Sequence, residues 1–155
     1  MAVEQSVEGL MKEIGPLVDL AFVGAYEGER IWQLAVDEDT IIFAELDVPS
    51  GKLMLSADIG MPPEKERARF YELLLRYASA WQATGGARVV MSDGDQSLWL
   101  LLDCHAIGLT LHDFAESLGH FVVAVRAWRE SIQAYEDNAE TAPRHPDLIQ
   151  GSALA

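Results

Sequence analysis

The stretch that decides the fold prediction is KLMLSADIGMPPEKERARFYELLLRYASAW at residues 52–81. Its first part predicts a strand over 52–59, because apolar side chains recur at every second position. The alternating residues are Leu53, Leu55, Ala57 and Ile59. After Pro62-Pro63 the pattern becomes helical over 68–81 and is ended by Gly85-Gly86. This stretch therefore combines a strand and a long helix, and the fold class depends on the elements that flank it.

The helix predicted over 68–81 is apolar around most of its circumference. At about 100° per residue, its apolar side chains cover roughly 240°. They are Phe70, Tyr71, Leu73, Leu74, Leu75, Tyr77, Ala78, Ala80 and Trp81. Since one sheet cannot bury so wide a face, the pattern predicts contact with a second body. A symmetric dimer is the simplest such body.

The chain before this stretch predicts a helix and an irregular connection. Apolar residues at helical spacing predict a helix over 3–15, and Gly15-Pro16 is expected to end it. Residues 17–26 read as a transition, and Ala21–Glu29 reads as a loop. No strand is therefore expected before residue 30.

Two further strands complete an antiparallel meander with the strand over 52–59. Residues 30–36 and 40–46 are strand-like and flank the acidic turn Asp37-Glu38-Asp39. The turn Pro49-Ser50-Gly51 then leads into the third strand. The sequence therefore predicts a three-stranded meander.

The second half of the chain predicts two strands and a long helix. The strands lie over 87–92 and 98–105, and Thr110 is a plausible N-cap for the helix that follows. The fold class is thus α+β, in the order helix, three strands, helix, two strands, helix. We expect one domain over residues 1–136 and a mobile tail over 137–155.

Composition and charge exclude several classes of function. With 11 Lys and Arg against 25 Asp and Glu, the net charge is −14, which opposes nucleic-acid and membrane binding. A single cysteine and the lack of a signal-peptide pattern favour a cytoplasmic location. A mean hydropathy of +0.07 is high for so acidic a chain and indicates apolar surface reserved for a partner. The acidic residues at 37–39 and 93–95 either serve to form turns or attract a basic partner peptide.

No catalytic or metal-binding constellation is visible. Cys104 and His105 are neighbours in a predicted strand and point to opposite faces, so they cannot share a proton. The spacing of His112, Glu116 and His120 would suit a metal, but the His-Glu-x-x-His pattern of a zinc helix is missing and a solvated face is favoured. We therefore expect no enzymatic activity, no metal and no cofactor.

The whole pattern resembles the small acidic class I chaperones of bacterial type III secretion systems, over about residues 5–135. The matching pieces are the first helix ending at Gly15, Leu20-x-Phe22 with Gly28, Leu53-x-Leu55-x-Ala57-x-Ile59-Gly60 before Pro62-Pro63, the Leu73-Leu74-Leu75 helix, and Phe121, Ala127 and Trp128 of the last helix. The resemblance rests on their order together with the length and the acidity.

This resemblance implies a non-enzymatic bacterial homodimer that binds the N-terminal segment of a secreted effector in extended form and keeps it competent for export. Its implied partners are the effector, a second copy of the chain and the secretion ATPase. The alternative is a stand-alone regulatory domain of the same fold that binds folded proteins.

Two sets of site residues follow from the resemblance and the helical pattern. The predicted effector groove is lined by Val7, Leu10, Met11, Ile14, Leu34, Val36, Ile41 and Phe43. The predicted dimer interface contains Phe70, Leu73, Leu74, Tyr77, Trp81, Val89 and Met91.

Overall fold

The structure is a computed structural model that describes residues 2–137. Helix α1 spans Ala2–Val18 and so continues past Gly15-Pro16, where the sequence was expected to end it. Pro16 lies in the last turn, where it lacks the amide that would donate to the Lys12 carbonyl, and the helix ends two residues later. The end is set instead by Asp19, whose φ of 55° lets the Leu20 amide donate to the Gly15 carbonyl at 3.0 Å.

Strand β1 spans Phe22–Ala25, inside the segment predicted to be a loop, so that prediction is wrong. The next strands match expectation: β2 spans Ile31–Ala35, β3 spans Ile41–Asp47 and β4 spans Lys52–Gly60. All four are joined in sequence by antiparallel pairing. The expected three-stranded meander is therefore four-stranded.

The remaining elements follow the predicted order. Helix α2 spans Arg67–Ser79, the short helix α3 spans Trp81–Thr84, β5 spans Arg88–Met91 and β6 spans Leu98–His105. Helix α4 spans Leu111–Asp137. The single helix predicted over 68–81 is thus interrupted before Trp81. The predicted tail lies outside the described residues beyond 137.

The predicted N-cap of α4 is confirmed. The Asp113 amide donates to Thr110 Oγ1 at 3.1 Å, and the Thr110 hydroxyl donates to Asp113 Oδ2 at 2.7 Å. This reciprocal pair satisfies an amide that has no partner within the helix.

In the described chain the strands form a six-stranded sheet in the order β1-β2-β3-β4-β6-β5. Strands β1 and β5 are therefore its two terminal strands. The chain divides into two compact units. Unit 1 contains residues 2–57 and 103–119, and unit 2 contains 58–102 and 120–137.

In unit 1, β2, β3 and most of β4 bury every second side chain, as the period of a strand requires. The buried residues are Trp32, Leu34, Ile42, Ala44, Leu46, Leu53, Leu55 and Ala57. The first helix adds Val7, Met11 and Ile14 to this core. The opposite face of the meander is half-buried or exposed.

Unit 2 has an aromatic core between α2 and α4. The Phe70 ring meets Trp128 edge to face at 6.1 Å and Tyr135 at 5.2 Å, and Tyr77 meets Trp128 at 4.9 Å. All four side chains are fully buried. Such pairs add about 0.5–1.5 kcal/mol each beyond their burial. No helix within residues 2–137 is long and apolar enough to cross a bilayer.

Candidate functional site: the β1 edge and its groove

One side of β1 is an open sheet edge. The Tyr26 amide donates to the Ile31 carbonyl at 2.9 Å, so Tyr26 is bonded to β2. Antiparallel pairing alternates bonded and non-bonded residues, and Gly24 is therefore bonded as well. The N–H and C=O groups of Val23 and Ala25 consequently point away from β2. They form the backbone surface on which another strand can pair.

Helix α1 lies beside this edge because a glycine permits a close approach. A Cβ atom on Gly15 would lie 3.3 Å from Val23 Cγ2, which is closer than most side chains allow. Val23 pairs with Leu34 in the sheet register and so shares its face, which is the buried one. The C-terminal part of α1 is thus fixed against β1 on the helix-facing side of the sheet.

A groove of about 500 Å³ lies between α1 and β1, entirely within unit 1. Its apolar lining consists of Met11, Val23, Ala25 and Trp32. Its charged and turn residues are Glu8, Lys12, Glu27, Gly28 and Glu29, and Gly24 and Tyr26 complete it. An apolar lining with charged residues at the rim is typical of a site that buries the apolar side chains of a ligand and keeps charged groups at its edge.

The rim of the groove carries excess negative charge. Glu8, Glu27 and Glu29 face one lysine, Lys12, and within the described residues these three carboxylates take part in no ion pair. The nearby Arg30 is held by Glu4 at 3.1 Å. The groove therefore favours a ligand that is apolar where it is buried and basic where it crosses the rim.

A second, smaller hollow of about 130 Å³ lies across β1 on the outward face. Phe22, Gly24, Tyr26 and Gln33 line it together with Ala25. The Tyr26 hydroxyl donates to Gln33 Oε1 at 3.3 Å, which fixes the position of its ring. Exposed aromatic side chains thus lie on the side of β1 that α1 does not cover.

The structure distributes the predicted groove residues over two faces. Val7, Met11, Ile14 and Leu34 are buried in unit 1, and of these Met11 lines the groove. The half-buried positions are Leu10, Val36, Ile41 and Phe43. The eight residues do not form one surface, because Ile41 and Phe43 occupy the face of the sheet opposite to Leu34. Their contact with a partner stays a prediction.

The predicted dimer residues also differ in accessibility. Phe70, Leu73 and Tyr77 are buried in the core of unit 2, whereas Leu74 and Val89 are half-buried. The large apolar side chains that unit 2 exposes on α2, α3 and β5 are Leu75, Trp81, Val90 and Met91. Leu75 is 73% exposed and Trp81 is 62% exposed. Two of these four, Trp81 and Met91, belong to the predicted set.

A polar cleft of about 440 Å³ lies on the surface of unit 2. Its lining contains two arginines and two glutamates. Arg76 contacts Glu72 at 2.6 Å, and Arg69 lies 5.7 Å from the centre of the Tyr135 ring. Burial raises the pKa of Tyr135 and outweighs the opposing effect of Arg69. The phenol therefore stays neutral at physiological pH.

The candidate chemical groups do not assemble into a reactive site. Burial, reinforced by the charge of Asp103, raises the pKa of the Cys104 thiol to about 11, so it is not a thiolate at neutral pH. Within residues 2–137, no three metal-ligating side chains come together, and the His112, Glu116 and His120 spacing does not form such a group.

Sequence reasoning missed the residues of β1 that build the edge. The signal was a run of apolar residues, FVGAY at 22–26, directly before the turn EGE at 27–29. The turn is closed by the Glu29 amide on the Tyr26 carbonyl at 3.1 Å, with Gly28 at a φ of 76°. Because the run is short and interrupted by Gly24, its alternation was too weak to indicate a strand.

Comparison with known proteins identifies this fold. A sequence model of the Tir chaperone protein (CesT) family matches residues 12–129. The structure of the HopA1-SchA chaperone-effector complex matches with a TM-score of 0.68 at 12% identity, covering 84% of this chain and 98% of that chain. The structure of the ExsC-ExsE complex matches with a TM-score of 0.69 at 18% identity, covering 83% and 94%. No curated protein matches the chain significantly.

The fold is that of the type III secretion chaperones. Because the family match extends over more than half of its residues, the chain belongs to the Tir chaperone protein (CesT) family. The predicted α+β class and the predicted function as a type III secretion effector chaperone are both confirmed.

Proposed function

We propose that this chaperone holds an N-terminal segment of its effector as an extended strand added to β1. The observation that carries the proposal is the open edge at Val23 and Ala25 directly beside the groove between α1 and β1. An added strand pairs with the outward backbone groups and places every second side chain toward Met11 and Trp32.

This arrangement explains how a chaperone can hold a segment unfolded without catalysis. Each main-chain hydrogen bond contributes about 0.5–1.5 kcal/mol whatever the side chain, so backbone pairing supplies affinity. Burial in the groove selects for apolar residues at about 25 cal/mol per Å². A segment held in this way cannot fold upon itself, and neither ATP nor a cofactor is needed. A cytoplasmic location fits this role, before export.

A second copy of the chain is the proposed partner of unit 2. Four large apolar side chains are exposed on α2, α3 and β5, namely Leu75, Trp81, Val90 and Met91. Exposed aromatic and aliphatic residues grouped on few elements are typical of interfaces. These residues support a homodimer that uses less of α2 than the helical pattern indicated. Since Val90 and Met91 are neighbours in β5, their side chains lie on opposite faces of the strand. Transfer to the secretion ATPase, which the resemblance implies, stays a prediction.

The test of effector binding begins with the cargo. The protein is purified from its native bacterium, the stoichiometric partner is identified, and the affinity of its N-terminal segment is measured by calorimetry. The decisive variant is Ala25→Pro, which removes an outward amide but no bond to β2. We expect it to weaken binding by about 2–3 kcal/mol, roughly 30- to 150-fold.

The matched control is Ala25→Ser, which keeps the amide at the same exposed position. We expect its affinity to stay within about twofold of wild type, because the edge remains complete. Both variants should unfold at the temperature of the wild type. Equal binding by the two variants, or a cargo segment that is folded in the complex by NMR, would overturn the proposal.

A further inference from the structure

The two hollows beside β1 lie on opposite faces of the same strand. The larger groove and the smaller hollow share Gly24, Ala25 and Tyr26 as lining residues. Val23 belongs only to the groove on the helix side, whereas Phe22 belongs only to the outward hollow. Both cavities therefore border the same part of β1.

The outward hollow depends on the absence of a side chain at residue 24. A Cβ atom on Gly24 would lie 2.5 Å from Cζ of Phe22, so the Phe22 ring lies directly over this glycine. Phe22 is 55% exposed and Tyr26 is 44% exposed, and Gln33 lies between them in the lining. Small-molecule pockets measure roughly 300–1,000 Å³, and this hollow is well below that size. Its volume and its aromatic walls suit one amino-acid side chain.

We propose that the chaperone recognises side chains on both faces of the strand added to β1. The outward hollow is then a second specificity subsite that takes one neutral apolar side chain. The inference rests on the proposed strand addition at β1. Side chains of an extended strand alternate between faces, so a residue that follows one in the groove must project toward Phe22 and Tyr26.

Charge distinguishes the two subsites. The groove on the helix side has Glu8, Glu27 and Glu29 in its lining. None of these three glutamates lines the outward hollow, whose polar groups are the Tyr26 hydroxyl and the Gln33 amide. The cargo therefore carries apolar or basic residues at the positions that face α1, and neutral apolar residues at the alternate positions.

The test is a surface-displayed library of random decapeptides selected against the full-length protein. We expect enrichment at both alternating sets of positions, with Lys and Arg confined to one set. In an enriched peptide, changing the outward apolar residue to Ser should weaken binding about tenfold, because its burial is lost.

The protein variant for this test is Phe22→Ala combined with Tyr26→Ala. Both side chains are exposed, so folding should be unaffected, and circular dichroism checks this. With this protein variant, changing the outward apolar residue of the peptide to Ser should weaken binding by less than twofold. The control is Ile107→Ala, an exposed apolar residue of unit 1 outside both cavities, which should retain the tenfold difference.

The outcomes separate this inference from the proposed function. Selection at only one alternating set, or a tenfold difference that survives in the Phe22→Ala and Tyr26→Ala protein, would overturn the second subsite and leave strand addition intact. If no extended peptide is enriched, or if enriched peptides bind Ala25→Pro as well as Ala25→Ser, strand addition itself fails.

Discussion

The two terminal strands of the sheet present different surfaces. At β1 the two residues whose backbone groups point away from β2 have small side chains, Val23 and Ala25, and the neighbouring groove has Glu8, Glu27 and Glu29 in its lining. The exposed aromatic side chains of Phe22 and the adjoining Tyr26 line the small hollow on the other face of β1. At β5 the exposed side chains are large and apolar, Val90 and Met91. Unit 2 adds Leu75 and Trp81 on its helices.

This difference indicates two kinds of partner. An edge with small side chains beside an elongated groove leaves room for a foreign strand with variable side chains, and its charge selects among them. Large exposed aromatic and aliphatic groups need a complementary folded surface to be buried well. This difference supports the two proposals, that variable cargo binds at β1 and that a second copy of the chain binds at α2, α3 and β5.

The largest expected effect is the difference in stability loss between replacing a buried and an exposed tryptophan of unit 2. Trp128→Ala should lower the free energy of unfolding by about 3–5 kcal/mol, because Trp128 fills the core between Phe70 and Tyr77. Trp81→Ala should lower it by less than about 1 kcal/mol in the monomer, since Trp81 is largely exposed. Urea unfolding of the two proteins measures this contrast. Equal losses would show that Trp81 serves folding rather than an interface.

The next effect concerns self-association. Leu75→Lys with Trp81→Lys should weaken a dimer by at least about 2 kcal/mol, because each lysine must be desolvated in the contact. Sedimentation should then show monomer at micromolar concentration, while cargo affinity at β1 stays unchanged. The control Gln82→Lys introduces one lysine at a neighbouring exposed position without removing an apolar side chain, and it should remain dimeric. A wild type that sediments as a monomer would refute this assignment.

The smallest effect uses salt to distinguish the two surfaces. Raising NaCl from 50 to 500 mM should weaken cargo binding about tenfold, because the rim carboxylates at Glu8, Glu27 and Glu29 are screened. Dimerisation should change by less than about twofold, since its exposed residues are mainly apolar. Calorimetry at both salt concentrations tests this. The neutral variants Glu27→Gln and Glu29→Gln should reduce the salt dependence, and a dependence that persists would locate the charge effect elsewhere.

Local patterns were sufficient for most of the secondary structure. The alternation from Leu53 to Ile59 predicted β4, and Thr110 predicted the start of α4, because both signals act within a few residues. The end of α1 was misplaced because Gly15-Pro16 is a stop signal only on average. Here the left-handed Asp19 closes the helix later.

The candidate site was less predictable than the fold. Strand β1 is short and contains Gly24, so it becomes recognisable only when β2 pairs with it. The strand register also decided which side chains share a face of the sheet, since Ile41 and Phe43 lie on the face opposite to that of Leu34. On α2, the sequence showed a wide apolar face but not which part of it is core, and Phe70 and Tyr77 pack against the distant Trp128.

The sequence by itself determined the order of the elements other than β1 and α3, the acidic charge and the family, because periodicity, caps and composition are properties of neighbouring residues. The tertiary structure decided which apolar residues are core and which are surface. It also created the open edge and its two hollows, since these arise where Gly15 meets Val23 and where Phe22 lies over Gly24. Such contacts depend on packing between elements and on register, which local spacing does not encode.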